Sequence, residues 1–212
     1  MEIIPNFVVL EGGDGSGTTT QLNLLKGQFK TSLKPVFYPA FEPTDRPTGK
    51  LIRSALKKEV NFDPKTLCYL FAADRHEHLY GKDGIIERAA RGEFVVSDRY
   101  AISSLVYQGI ECGDELPNAL NEGFPAPEIT LFFDIKPEVA LERVKVRCDG
   151  SIPLEIYETM DFQKKVYAKY LSVIKTYAAS GARVEILDAS KPAEVVADMV
   201  WSILSELPIF KA

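Results

Sequence analysis

Five short apolar bursts, set at intervals along the chain, constrain its fold more than any other feature. Phe7-Val8-Val9-Leu10, Pro35-Val36-Phe37-Tyr38, Phe94-Val95-Val96, Ile129-Thr130-Leu131-Phe132-Phe133 and Val184-Glu185-Ile186-Leu187 are mostly β-branched or aromatic, as suits strands covered on both faces. Between them lie segments of helical length. Asp63-Pro64 opens one of these, with an acid to cap free amides and a proline that fits the first helical position. Lys191-Pro192-Ala193-Glu194 opens a last amphipathic helix that runs to about residue 206. Strand, crossover helix and strand in repetition predict a three-layer α/β fold, a five-stranded parallel sheet with helices on both faces. The 212 residues are 46% hydrophobic, enough for one sizeable core, and no repeat or low-complexity linker divides them. A single domain over 1–212 is expected.

Directly after the first burst, and before a helical segment, stands Glu11-Gly12-Gly13-Asp14-Gly15-Ser16-Gly17-Thr18-Thr19-Thr20-Gln21. Gly12 and Gly17 fit the outer glycines of the phosphate-loop pattern Gly-x-x-x-x-Gly-Lys-Ser/Thr. Thr19 takes the hydroxyl position that would touch magnesium, and Thr18 stands where the lysine belongs. Glycines let successive amides face a phosphate, and the helix amino terminus adds positive potential. A glycine-rich turn that binds nothing is the alternative, and the strand-to-helix setting favours phosphate.

A second constellation is Ser97-Asp98-Arg99-Tyr100, followed by Ser103-Ser104 and Tyr107-Gln108-Gly109. Asp98 is expected at the carboxyl end of a buried strand, the usual ligand crevice of open α/β sheets, with Arg99 suited to bidentate phosphate contact. A merely structural Asp98–Arg99 pair is the competing reading. Phe71 and Arg75 fall at i and i+4, so a ring and a guanidinium share one helical face; a core phenylalanine beside a surface salt bridge would give the same spacing.

Together these residues resemble the thymidylate kinase family over nearly the whole chain. The likeness rests on Glu11 to Gly17, Glu42-Pro43-Thr44, Phe71-Ala72-Ala73-Asp74-Arg75, Asp98-Arg99-Tyr100 with Tyr107-Gln108, and Asp188-Ala189. It implies a P-loop kinase fold, a homodimer, and transfer of a phosphoryl group from ATP to dTMP with magnesium held at Thr19 and Asp98. Carried onto this chain, ATP lies along Gly12, Gly13, Asp14, Gly15, Ser16, Gly17, Thr18, Thr19 and Thr20. Phe71 stacks on thymine, Arg75 reaches a ring oxygen, Ser104 and Gln108 meet the base edge, and Glu42 belongs to the same acceptor site. Tyr107 packs under the deoxyribose, Asp14 meets the 3′-hydroxyl and Arg99 holds the acceptor phosphate.

Three departures from the resemblance each remove positive charge. Thr18 replaces the lysine, Phe41 stands where many bacterial members carry an arginine before Glu-Pro, and the expected lid, around 147–155, lacks an arginine in Cys148-Asp149-Gly150-Ser151-Ile152-Pro153-Leu154. Arg143 and Arg147 share a helix face leading into that lid and are candidates to swing over the phosphates; a solvated charged face is the plainer reading. Arg46, after the second strand, is another stand-in. A nucleotide-binding module that has lost efficient transfer is therefore the rival of a working kinase.

The remaining features bound the partners. A net charge of −5 disfavours a broad nucleic-acid surface. No apolar run reaches the roughly 18 residues of a membrane span, and the start lacks the pattern of a signal peptide, so a cytoplasmic location is expected. Cys68, Cys112 and Cys148 are too widely spaced for a disulfide framework. His76 and His78 diverge on a helix and read as surface or packing residues, and the aromatic run from Tyr157 to Tyr177 reads as packing, with a dimer face as a further use. No Asn-Lys-x-Asp segment supports a guanine-reading switch.

Overall fold

The computed structural model describes residues 2–30, 35–148 (backbone alone at 147 and 148) and 159–211. Alternation along the first strand sets the architecture. In β1 (Ile3–Glu11), Val8 and Leu10 face one way and Phe7 and Val9 the other, all nearly inaccessible to water, because successive strand side chains point to opposite faces. Val8 and Leu10 join Phe94, Val96, Ile129 and Leu131 in a core covered by α1 (Thr18–Gln28) and α9 (Ala193–Leu204). Phe7 and Val9 join Val95 under α3 (Pro64–Tyr80) and α4 (Ile85–Ala90). Beside them, α5 (Ala101–Cys112) and α8 (Met160–Ala179) close over Phe132.

All strand pairings are parallel, in the order β2-β3-β1-β4-β5, with β2 at Phe37–Phe41, β3 at Phe94–Asp98, β4 at Ala126–Asp134 and β5 at Val184–Asp188. The expected α/β layering and the five strands are therefore present, with ends moved by a few residues. The strand order places β1 at the centre, with β3 and then β2 on one side and β4 and then β5 on the other; the chain crosses first to the edge at β2, returns to β3 and then passes to the far side. Ligands of such sheets bind beyond the carboxyl ends, where that order reverses. The register opposes Leu10 and Phe41 to Asp98 across β3, which brings Glu11, Glu42 and Arg99 to one rim.

The remaining helices are α2 (Pro47–Leu56), α6 (Glu115–Asn121) and α7 (Pro137–Cys148). Asp63 caps α3 by accepting from the Lys65 amide at 2.9 Å, with Pro64 at the first position, as the sequence predicts. α2 packs on α3 through Ile52, Ala55 and Leu67. Residues 149–158, which hold most of the expected lid, lie outside the described residues, and with them lies any account of it.

Candidate active site

The loop between β1 and α1 turns on two glycines in the left-handed region, Gly15 at φ 82° and Gly17 at φ 97°. A side chain at Gly15 would also strike the Ala140 carbonyl of α7, since a Cβ there would sit 2.2 Å from that oxygen. Only glycine lets the loop pass so close to the helix. Gly13 through Thr20 line a cavity of about 710 Å³, while Gly12 lies beneath it and gives its carbonyl to Arg99 at 2.9 Å.

A second cavity, of about 690 Å³, opens beside it and is lined by Asp14, Thr19, Glu42, Phe71, Arg75, Asp98, Arg99, Ser104, Tyr107 and Gln108. Every residue expected on the acceptor side is thus on one wall or another of the same space. Its far end is a buried ionic network. Arg75, only 1% exposed, donates from Nε and Nη2 to Glu42 Oε2 at 2.9 and 2.7 Å, from both terminal nitrogens to the Ser104 hydroxyl at 3.2 and 3.1 Å, and to Asn121. The surface salt bridge that the spacing left open is excluded. Glu42 Oε1 lies 3.0 Å from His78 Nδ1, so His78 is a buried partner in this network while His76 stays outside, against Tyr80. Asp74 pins the loop after β2 by accepting from the Thr44 amide and the hydroxyls of Thr44 and Thr48, each at 2.7 Å. Gln108, on the wall of this cavity, has its Nε2 buried with no hydrogen-bond partner among the described residues.

Asp98 and Arg99, adjacent in sequence, separate because Arg99 takes the left-handed conformation at φ 73°, a rare setting for a bulky residue and a mark of functional sites. Asp98 turns to the loop, where the Thr19 hydroxyl donates to its Oδ2 at 2.5 Å, and its Oδ1 is buried without a protein partner among the described residues. Arg99 turns to Asp14, 2.6 Å from Nη2 to Oδ1, so the structural Asp98–Arg99 pair is not formed. Burial alone would pull Arg99 toward neutrality; the oxygens of Tyr107, Asp14, Tyr170 and Asp98 outweigh it and hold its pKa well above the ordinary arginine value.

Support for Arg99 comes partly from a residue the sequence left without chemistry. The Tyr170 hydroxyl, on α8, sits 3.3 Å from Arg99 Nη1, 3.0 Å from the Ser103 hydroxyl and 3.0 Å from Glu11 Oε2. Glu11 also accepts from the amides of Tyr100 and Ser103 at 2.9 and 3.2 Å. Burial pushes the Glu11 carboxyl above the usual range, against the pull of Ser103, Arg99 and Tyr170. Gln163, also on α8, donates to Asp14 Oδ2 at 2.8 Å. The signal for Tyr170 was its place in the aromatic run, but spacing on one helix cannot name a partner in β1.

The stand-ins for the missing lysine fare differently. Arg46 is tied away from the crevice, to Glu77 at 2.6 Å and the Lys82 carbonyl at 2.9 Å, which corrects that expectation. Arg143 borders the loop cavity, but it donates to the carbonyls of Ala189, Ser190 and Lys191 at 2.8, 3.2 and 3.5 Å. Its donors hold the turn after β5 instead of swinging over phosphates. The Arg147 side chain lies outside the described residues. Arg53 of α2, unremarked in the sequence, borders both cavities.

Against known proteins, residues 10–200 match a family profile described as thymidylate kinase. A putative thymidylate kinase of Treponema pallidum is 41% identical over 208 residues, covering 97% of this chain and 98% of that one. A putative thymidylate kinase of Aeropyrum pernix is 38% identical over 181 residues, 84% of this chain and 83% of the other. The thymidylate kinase of Shouchella clausii is 37% identical over 206 residues, 93% of each chain.

Proposed function

The chain belongs to the thymidylate kinase family, and on that premise we propose how its double cavity passes a phosphoryl group from ATP to dTMP, forming dTDP and ADP. One observation carries the reading: the two cavities share Asp14, Thr19, Arg53 and Arg99 as a common border, so a donor phosphate on the loop meets an acceptor phosphate in line across it. Phosphoryl transfer asks the protein chiefly to align two anions and to neutralise the charge between them.

On the acceptor side, Phe71 stacks on thymine and Arg75, held in place by Glu42, reaches a ring oxygen. Ser104 and Gln108 meet the base edge. Tyr107 packs under the deoxyribose and disfavours a ribose 2′-hydroxyl. Asp14 meets the 3′-hydroxyl, and Arg99 holds the acceptor phosphate from a scaffold of Ser103, Tyr170 and Glu11. On the donor side, amides from Gly12 to Thr20 bind the phosphates of ATP. The donor set at Thr19 and Asp98, a hydroxyl beside a carboxylate with one buried orphan oxygen, suits magnesium, whose other ligands would be phosphate and water and which would neutralise the β- and γ-oxygens.

The single domain, a lid over 147–155 and a homodimer belong to the same proposal. Exposed Leu51, Tyr69 and Leu171 on α2, α3 and α8 offer apolar surface for a second copy. No described helix is long and apolar enough to cross a membrane; a cytoplasmic enzyme without nucleic-acid partners accords with the net charge of −5 and with free Cys68 and Cys112. A binding module that has lost transfer is the weaker reading, since both halves of the crevice are built. ADP release coupled to a dye readout, with ATP and each of dTMP, dUMP, dCMP and dAMP, tests the proposal. Turnover should be highest with dTMP; equal turnover with the purine would sink the acceptor assignment.

A further inference from the structure

His78 is a titratable side chain, only 6% exposed, that the phosphoryl transfer itself does not use. It stands three residues after Arg75 on α3, on the same helical face, and both reach one carboxylate that arrives from the loop after β2. Glu42 Oε2 accepts from Arg75 Nε at 2.9 Å and from Nη2 at 2.7 Å, and Glu42 Oε1 lies 3.0 Å from His78 Nδ1. The Glu42 side chain is 2% exposed, so these bonds are shielded from bulk water.

The division of the two carboxylate oxygens decides what His78 does. In a fork-to-fork ion pair, two parallel N–H groups meet two oxygens, and the pair fixes its own plane. Here both Arg75 bonds converge on Oε2, which leaves the carboxylate able to turn about that oxygen and the guanidinium able to turn with it. A donor on Oε1 removes that freedom. In a carboxylate paired with a guanidinium, Oε1 has only lone pairs to offer, so His78 Nδ1 is the donor, whether the ring is neutral or charged. Other contacts hold Arg75 less firmly. Asn121 accepts from Nη1 as a neutral group, a weaker hold than a charge-assisted bond to carboxylate. The Tyr100 and Phe124 ring centres, 5.1 and 5.8 Å from the guanidinium carbon, attract its charge without fixing the direction of its N–H groups.

Nη1 and Nη2 also share the Ser104 hydroxyl at 3.2 and 3.1 Å, and Ser104 lies on the wall of the acceptor cavity, so this edge of the guanidinium is the one a base meets. Thymine turns a carbonyl oxygen toward such donors, whereas cytosine turns an amino group and leaves them unpaired. A donor held in one direction rejects the second base; a loosely held one rejects it less. Resting on the kinase reading, we propose that His78 is a positioning residue for base selection: through Glu42 Oε1 it fixes the direction in which Arg75 presents its N–H groups to the base. No proton moves and no covalent bond changes in this role.

Steady-state kinetics on wild type, His78→Phe, His78→Met and His78→Asn test this, with dTMP as substrate and dCMP as competing inhibitor. Phenylalanine and methionine fill the space in different shapes and lack the donor, the asparagine amide offers a donor close to where Nδ1 stands, and melting curves identify the variants that fold. A wild type without ATP- and dTMP-dependent turnover would refute the kinase reading itself. The 15N spectrum of the His78 ring reports on the contact in either case, since Nδ1 must carry a proton whatever the protein catalyses; the chain has two histidines, and His76→Gln leaves one ring to observe. With an active wild type, the donor-free variants should raise KM for dTMP and lower the ratio of the dCMP Ki to that KM by about tenfold or more, while kcat and KM for ATP stay within a few-fold. His78→Asn should recover most of the ratio. An unchanged ratio in the donor-free variants, a loss shared equally by both bases, no recovery with asparagine, or a neutral ring with its proton on Nε2 would overturn the assignment.

Discussion

Around the acceptor cavity, the groups that face inward are side chains held by other buried side chains: Arg75 by Glu42 and Ser104, Glu42 by His78, and the Thr44 loop by Asp74. Around the loop cavity, the wall is largely backbone, bent by Gly15 and Gly17 against α7. A side-chain network is only as good as its weakest member, because removing one partner strands the other in low dielectric. A backbone cradle loses little when one side chain changes, since its donors belong to every residue. This difference lets the loop keep its cradle with a threonine at the lysine position, and leaves the network around Arg75 no such latitude.

The largest effect should come where the two halves meet. Arg99→Ala removes the cation proposed for the acceptor phosphate and frees Asp14, and turnover should fall about a thousandfold or more, close to 4 kcal/mol. Thermal shifts should separate the halves: a ligand at 100 times its Kd stabilises by about 2.7 kcal/mol, and the mutant should lose that shift for dTMP while keeping it for ATP. Unchanged dTMP affinity would reduce Arg99 to a structural partner of Asp14.

Within the acceptor half, Glu42→Ala should be the most damaging change to stability, about 3–5 kcal/mol, because it leaves the Arg75 guanidinium buried without its carboxylate. Chemical denaturation measures it. A loss under 1 kcal/mol would show that the network is less interdependent than the comparison holds.

Gly15→Ala probes the cradle. A methyl 2.2 Å from the Ala140 carbonyl on a backbone at φ 82° should cost about 1–3 kcal/mol and abolish the ATP shift, with the dTMP shift retained. Loss of both shifts together would mean that the halves are not separable.

The smallest effect concerns the scaffold under Arg99. Burial raises the Glu11 pKa in the folded protein, so the folded state keeps a proton that the unfolded chain gives up near the ordinary glutamate value of 4.5. The stability from this group is present below that value and is lost as pH rises through the folded pKa. Glu11→Gln cannot titrate, and its melting temperature should lose that part of the decline between pH 4 and 8 shown by the wild type. Identical pH profiles would show that Glu11 titrates normally.

Much of the fold was legible in order along the chain. The bursts at Phe7, Phe94 and Ile129 read as covered strands and form β1, β3 and β4, Asp63-Pro64 marked its helix start to the residue, and the glycines after Glu11 marked the turn between β1 and α1. The residues that line the cavity beside the loop were legible as well, through the ordered set of short motifs that carries the family likeness. Arg53 escaped because nothing in its own helix distinguishes it: its place is set by Phe41, Pro43 and the two cavities. Tyr170 escaped because its partners, Glu11 and Ser103, are 159 and 67 residues away.

Sequence alone determined where strands, turns and caps form, since these follow from sterics and hydrogen bonding among residues a few positions apart. Tertiary structure decided which charges are spent and which remain. Arg46, Arg53, Arg99 and Arg143 are the same residue type, yet Arg46 is paired with Glu77, Arg99 with Asp14, Arg143 is bonded to carbonyls of the turn after β5, and Arg53 is bonded to the Pro43 carbonyl at the border of the two cavities. The reason is physical: an ion's worth is set by the groups within about 4 Å and by the water it retains, and packing brings those groups from distant parts of the chain.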